Sequence, residues 1–337
     1  MKPILFALLS ILAAPAGAWA VPQEAEPKLL PAAPPAQPAY VRRVEPAVIG
    51  IKTQIPLDRP SVRTLGAERW GSGVLFDPAG YAVTVSYMLT DAEIIQATLR
   101  DGRSVPAKLV GIDQEAGLGL IRLEGDGPWP YAALGNSTQV ATGDATATIG
   151  VQDDNALAVT QGAIQAIRSF AGYWEYLLER AFIVAPYNPS FGGSPLVNTQ
   201  GEVIGITNLR FGENPPVNVA IPIELLLASK DELIAKGRIV SRPPRPWLGL
   251  YTVEINAAVV IAAFSPTGPA RQSGLQRGDV IVRVNGEKVE GQEDFYRKLW
   301  KGRAGDEIAL VVLRESRLEV VTVRSADRSQ PQRAPKP

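Results

Sequence analysis

The chain has no cysteine and no histidine among its 337 residues. Without cysteine there is no disulfide, no thiol nucleophile and no thiolate metal site. Without histidine the commonest general base and the commonest zinc ligand are both missing. No sign of charge predominates either, since 34 Lys and Arg face 34 Asp and Glu for a formal net charge of zero. Phosphate neutralisation needs a basic stripe, and none is present, so no nucleic-acid partner is expected. Metal and cofactor are likewise not expected. A long unbroken apolar run is also lacking. The uncharged stretch from Pro3 to Pro22 has its apolar heart at Ile4 to Ala14, and Pro15 and Gly17 interrupt it short of the roughly 20 residues needed to cross a bilayer.

What is present is ordinary for a chain that buries a core, with 46% hydrophobic and 20% charged residues. The length suits two domains. Ala18-Trp19-Ala20 places small residues at both key positions of a signal-peptidase site, so residues 1–20 read as a signal peptide and the mature chain as exported and periplasmic. The rival is an uncleaved N-terminal anchor; the function needs no membrane contact. Residues 21–40, rich in proline, read as a semi-rigid tether. Arg242-Pro243-Pro244-Arg245-Pro246 marks a linker over 241–246, and the polar, proline-bearing end over 326–337 reads as a disordered tail.

Between Val48 and Ile221 short β-branched runs alternate with turn residues, as in Ala82 to Val85 and Leu120 to Leu123. That spacing predicts an all-β sandwich or barrel. Pro222 stands at a plausible first helical position for a helix running to Gly237. The second block, 247–325, reads as a small α+β module. Its strand Val280 to Val284 leads into an Asn285-Gly286 turn, a helix covers Gln292 to Trp300, and strands cover Glu307 to Leu313 and Leu318 to Val323.

Four segments in order then resemble the HtrA/DegP family, exported trypsin-like proteases with C-terminal PDZ domains. They are Gly71-Ser72-Gly73 through Tyr81; Asp101-Gly102-Arg103 with Ala107 to Asp113; Asn188 to Asn198 with Gly201 to Ile206; and Val219-Ala220-Ile221-Pro222. In the second block, Trp247-Leu248-Gly249-Leu250 is similar to the family's carboxylate-binding strand, and Gly268 to Gly286 to its PDZ core. The resemblance implies a mainly β fold. A chymotrypsin/trypsin-like double β-barrel over 41–240 is followed by a PDZ domain over 247–325 with fewer residues than usual after Leu250.

Acyl transfer on that fold needs a serine, a histidine and an orienting carboxylate. Aligned with the family's segments, Tyr87 falls on the histidine, Gly117 on the aspartate and Gly192 on the serine. All three are lost. Ser194 lies two residues past the nucleophile position, and reaching it by sliding the alignment breaks the fit of Pro195-Leu196-Val197-Asn198. A tyrosine with a pKa of about 10 keeps its proton at neutral pH and is no substitute base.

The resemblance therefore implies a catalytically inactive homologue that binds peptides or proteins in the cell envelope as chaperone, scaffold or regulator. The alternative is an endopeptidase using non-standard residues. Backbone donors at Ser190 and Gly192 are the candidate remnant of an oxyanion hole, against which stands a plain β-turn. Leu248, Gly249 and Leu250 are the candidate peptide-binding residues, with free amides that capture a terminal carboxylate. Expected partners are unfolded or C-terminal segments of envelope proteins, and a homo-trimer or a hetero-oligomer with an active HtrA relative. Phe170, Tyr173, Trp174 and Tyr176 form an aromatic cluster that suits either a client clamp or packing between domains or protomers. Asp279 and Asn285 read as turn residues without chemistry.

Overall fold

A computed structural model of the chain describes residues 37–330. The expected signal peptide, nearly all of the tether and the last seven residues of the expected tail lie outside the described residues. Among the described residues no helix is long and apolar enough to cross a membrane.

The first barrel is built from β1 (Val48–Gln54), β2 (Glu68–Leu75), β3 (Tyr81–Val85), β4 (Ile94–Thr98), β5 (Ser104–Asp113) and β6 (Leu118–Leu123), closed in the order β1-β2-β3-β6-β5-β4. The second comprises β7 (Ala145–Val151), β8 (Leu157–Gly172), β9 (Tyr176–Ala185), β10 (Pro195–Asn198), β11 (Val203–Phe211) and β12 (Val217–Pro222), closed as β10-β11-β12-β9-β8-β7. Closure leaves no exposed sheet edge within either barrel. It is made possible by small residues where the interior is narrowest: a Cβ on Gly73 would meet Ile51 Cδ1 at 2.6 Å. The third unit is an open antiparallel sheet of β13 (Leu250–Ile255), β14 (Ala258–Phe264), β15 (Val280–Val284), β16 (Glu287–Lys288), β17 (Glu307–Arg314) and β18 (Arg317–Arg324), ordered β13-β14-β15-β17-β18 with β16 on β15. The fold is thus mostly β, as expected.

Helices are few and short. They are α1 (Ala39–Val44), α2 (Val62–Leu65), α3 (Ser86–Leu89), α4 (Glu224–Lys236) and α5 (Gln292–Leu299). Helix α1 begins inside the segment read as tether, because Val41 and Val44 are buried against the first barrel's core. Pro222 does not open α4. It ends β12, opposite Gly205 of β11, and the helix starts at Glu224. Gly237 closes α4 in the left-handed region (φ 69°), with its N–H returned to the Leu233 carbonyl.

The Asn285-Gly286 pair forms the turn between β15 and β16 with φ of 48° and 84°, both positive as a two-residue hairpin of this kind requires. An equally tight turn at Asn256-Ala257 (φ 50° and 63°) joins β13 to β14 and accounts for the few residues after Leu250. Asp279 does more than turn the chain: buried, it takes two hydrogen bonds from Arg314 at 2.7 Å and one from the Gln276 N–H.

Leu177 of β9 belongs to the apolar core of the third unit, alongside Leu248, Leu250, Phe295 and Leu299. The β8–β9 hairpin of the second barrel therefore reaches into the third unit. The linker is held as well: Arg242 pairs with Asp113, and Arg245 pairs with Glu115 at 3.0 Å. The segment expected to be a disordered tail is placed in part. Ala326 pairs with Trp247, and Arg328 donates to the Trp174 carbonyl. Its polar composition misled because the partners lie far away in sequence, at the hairpin tip.

Candidate functional site

Tyr87, Gly117 and Gly192 come together where the two barrels meet. Tyr87 sits on α3, the single turn after β3. Buried Arg69 holds that turn by donating to the carbonyls of Tyr87 (2.6 Å) and Thr90 (2.8 Å). Gly117 closes a tight turn between β5 and β6 with φ 79°, and its carbonyl accepts the Ser86 N–H at 2.8 Å. Gly192 lies on the loop before β10, its carbonyl accepting the Ser72 N–H at 2.7 Å across the barrels.

Both glycine seats are closed by phenols. The point a Cβ on Gly192 would occupy is 2.9 Å from the Tyr87 hydroxyl, and that of Gly117 is 2.7 Å from the Tyr176 hydroxyl. The Tyr87 hydroxyl donates to the Asn208 carbonyl at 3.2 Å. The Asn208 side-chain amide donates to the Tyr176 hydroxyl at 3.3 Å, and that hydroxyl donates to the Ala116 carbonyl at 2.9 Å. Burial disfavours either phenolate and pushes both tyrosines well above the ordinary phenol range. Such a phenol holds its proton and offers no base.

Ser194 is fully buried, and its hydroxyl donates to the Ser190 carbonyl. The Ser190 N–H, a candidate oxyanion donor, donates to Asn188 Oδ1 of its own loop at 2.9 Å. It is turned inward, so the two-donor arrangement with Gly192 is not formed. Asp113 and Glu115, which flank Gly117, hold the linker arginines, and Asp113 also accepts the Glu115 and Ala116 N–H groups of that turn at 3.1 Å.

The second candidate site differs more from expectation. Leu248, Gly249 and Leu250 form a loop and the start of β13, Gly249 standing at φ 76°. Those amides are not free. The Leu248 N–H donates to Glu175 Oε2 at 3.0 Å and the Leu250 N–H to Oε1 at 2.6 Å, and the Gly249 amide makes a third backbone contact with the same carboxylate. Glu175 stands between β8 and β9 in the left-handed region (φ 55°). Two residues earlier, the Tyr173 carbonyl accepts the Thr252 N–H of β13 at 2.8 Å.

The opposite wall is α5. Its Tyr296 hydroxyl donates to the Gly172 carbonyl at 2.8 Å and accepts the Glu175 N–H at 3.3 Å. Arg297 pairs with Glu179 of β9 at 2.7 Å, and the Ser169 hydroxyl donates to Glu293 at 2.7 Å. The aromatic cluster lies within this junction. Tyr173 packs edge-on against Tyr251 (5.7 Å between centroids), Trp174 stacks on Tyr176 (5.5 Å), and Phe170 meets Phe211 within its own barrel. Within the chain, Tyr173 thus packs between the units and Phe170 inside its barrel.

Sequence reasoning passed over Glu175, Thr252, Tyr296 and Arg328. One signal was available for the first: Glu175 is an acidic residue wedged between Trp174 and Tyr176 in an otherwise apolar run from Phe170 to Leu178. Burial raises its carboxyl to about 7, against the favourable pull of the three amides and of Arg328.

Two closed six-stranded barrels, a turn-loop-strand site between them and a small sheet whose first strand opens on a carboxylate-binding loop define a trypsin-like protease fold carrying a PDZ module. Residues 71–206 match the trypsin-like peptidase domain family and residues 246–324 the PDZ domain family. The serine endoprotease DegS of Escherichia coli K12 is 30% identical over 299 residues, covering 82% of each chain. A probable periplasmic DegP-like serine endoprotease of Halomonas elongata is 31% identical over 272 residues, or 76% of this chain and 56% of that one. The chain spans about half the length of the DegP-like relatives it matches. Among solved structures, the HtrA-type protease AlgW with a tripeptide is 28% identical with a TM-score of 0.55, covering 87% of this chain and 97% of that one. The chain belongs to the HtrA-type family, whose relatives named here are serine endoproteases.

Proposed function

We propose that the chain is a non-proteolytic HtrA-type homologue that works by binding. It is exported to the periplasm and recognises unfolded or C-terminal segments of envelope proteins, acting as chaperone, scaffold or regulator. Assembly with copies of itself or with an active relative belongs to the same proposal.

The observation that carries this reading is the closure of the three seats by tyrosine in a chain without a single histidine. Serine-protease chemistry requires a group that takes the nucleophile's proton and returns it to the leaving amine. Tyr87 keeps its own proton, Ser194 is sealed and spends its hydroxyl on Ser190, and the Ser190 amide is spent on Asn188. Each part of the machinery is deficient separately, so no single substitution would restore it. What persists is the PDZ module, with a well-formed carboxylate loop on an edge strand, the arrangement by which such modules take a peptide as an added strand. The relative AlgW, whose structures hold a tripeptide and a decapeptide, lends support.

The reading is tested by mixing the purified mature chain with fluorescently labelled C-terminal peptides from an envelope-protein library. Saturable binding with every peptide recovered intact is expected. Absence of binding at any peptide, together with peptide fragments, would refute it.

A further inference from the structure

The carboxylate loop already holds a carboxylate, and the chain itself supplies it. The hairpin tip Tyr173-Trp174-Glu175 lies between β13 and α5, the two walls of the groove. It makes the contacts that a bound chain end would make. A terminal carboxylate would take the N–H groups of the loop, and Glu175 takes those of Leu248 and Leu250. A strand added to β13 would accept the Thr252 N–H, and the Tyr173 carbonyl does so. The two contacts come from residues two apart at the turn, the Tyr173 carbonyl on Thr252 and the Glu175 side chain on the loop.

We propose that Tyr173-Trp174-Glu175 is a resident, displaceable ligand of the PDZ groove, and that a segment ending in a free α-carboxylate binds only by ejecting it. This rests on the peptide-binding reading above and adds its regulation. Glu175 is the residue on which the exchange turns. It is an acidic side chain with no opposite charge paired to it at ion-pair distance among the described residues, buried in a junction otherwise built of aromatic rings. A side chain kept only for packing at that point would be apolar, since an ionised carboxylate is costly to bury unless its oxygens are hydrogen-bonded. Here the loop amides answer that requirement. Beyond the buried Leu177, two polar contacts of the junction are of the kind that opens: Arg297–Glu179 and Ser169–Glu293 are partly exposed. Ejection of the tip would also release Tyr296 from Gly172 and Arg328 from Trp174.

The probe is the pentapeptide Ala-Gly-Tyr-Trp-Leu with a free carboxylate, and its C-terminal amide as control. Binding to the full mature chain is followed by fluorescence anisotropy, and opening of the junction by hydrogen exchange. The expected results are at least tenfold tighter binding to Glu175→Ala than to the wild type, no binding of the amide, and faster exchange at Tyr173–Tyr176 when the wild type is saturated with the acid. Equal affinity of wild type and Glu175→Ala, with tip exchange unmoved by peptide, overturns the proposal while leaving peptide binding intact. If the acid binds neither protein but the Leu248–Leu250 amides exchange at least tenfold faster in Glu175→Ala, Glu175 is the seated group and the peptide-binding reading is the one that fails. Should Glu175→Ala not fold, the wild-type exchange measurement with and without peptide decides alone.

Discussion

The hydroxyl of Tyr176 lies 2.7 Å from where a Cβ on Gly117 would stand, so the space beside that glycine is filled from the other barrel. The relation at Gly192 and Tyr87 is of the same kind.

Rebuilding the three side chains by Tyr87→His, Gly117→Asp and Gly192→Ser is therefore expected to give an unstable protein without activity. Histidine at 87 makes room for serine at 192, but aspartate at 117 overlaps Tyr176 and must adopt a positive φ. Overpacking typically costs about 1–3 kcal/mol, and left-handed backbone adds roughly 1–2 kcal/mol. Thermal unfolding of Gly117→Asp alone measures this. Adding Tyr176→Ala should recover the part due to overlap.

Tyr176→Phe removes the hydroxyl that joins Ala116 to Asn208 and leaves the ring in place. A loss of about 1 kcal/mol per buried hydrogen bond is the expectation from denaturant unfolding. By contrast Arg297→Ala breaks an ion pair whose partners are both largely exposed, and should cost no more than about 1 kcal/mol. Tyr296→Phe, which frees the Gly172 carbonyl and the Glu175 N–H inside the junction, should open the hairpin to protease nicking more than Arg297→Ala does.

The junction should tighten as pH falls from neutral. Seated Glu175 titrates near 7, above the usual carboxylate range, because burial disfavours its charge. Seating then takes up a proton between the ordinary carboxylate value and about 7. Its stability is complete below that window and declines as pH rises through 7. The tyrosines and the ion pair facing the site do not cancel this: burial raises Tyr251 and Tyr296, which stay neutral, and Arg297 keeps Glu179 below the carboxylate range, so that pair persists throughout, while burial lowers the Arg328 guanidinium from its ordinary value. Exchange at Leu248 and Leu250, corrected for intrinsic rates, should slow roughly tenfold from pH 8 to pH 5.5, because ionising a buried carboxyl becomes tenfold harder for each pH unit by which its midpoint rises. Glu175→Ala should abolish the dependence; a flat wild-type profile would contradict it.

The β runs and the Asn285-Gly286 turn were legible in the sequence. Each is carried by local residue types and by spacing. The long-range contacts were not legible, since Tyr176 reaches Ala116 across 60 residues and Glu175 reaches Leu250 across 75. Nothing local to either partner records the meeting. For the same reason the segment after Arg324 reads as disordered from its polarity although Arg328 donates to the Trp174 carbonyl at the junction, and the Leu248–Leu250 amides read as free although a carboxylate from the other unit holds them.

The central claim is that this chain binds and does not cleave, and it is tested most directly by exposing rigorously purified protein to a denatured substrate and to a fluorophosphonate probe. The account requires intact substrate after prolonged incubation and no covalent label. Hydrolysis or labelling that vanishes in the Ser194→Ala variant would contradict it.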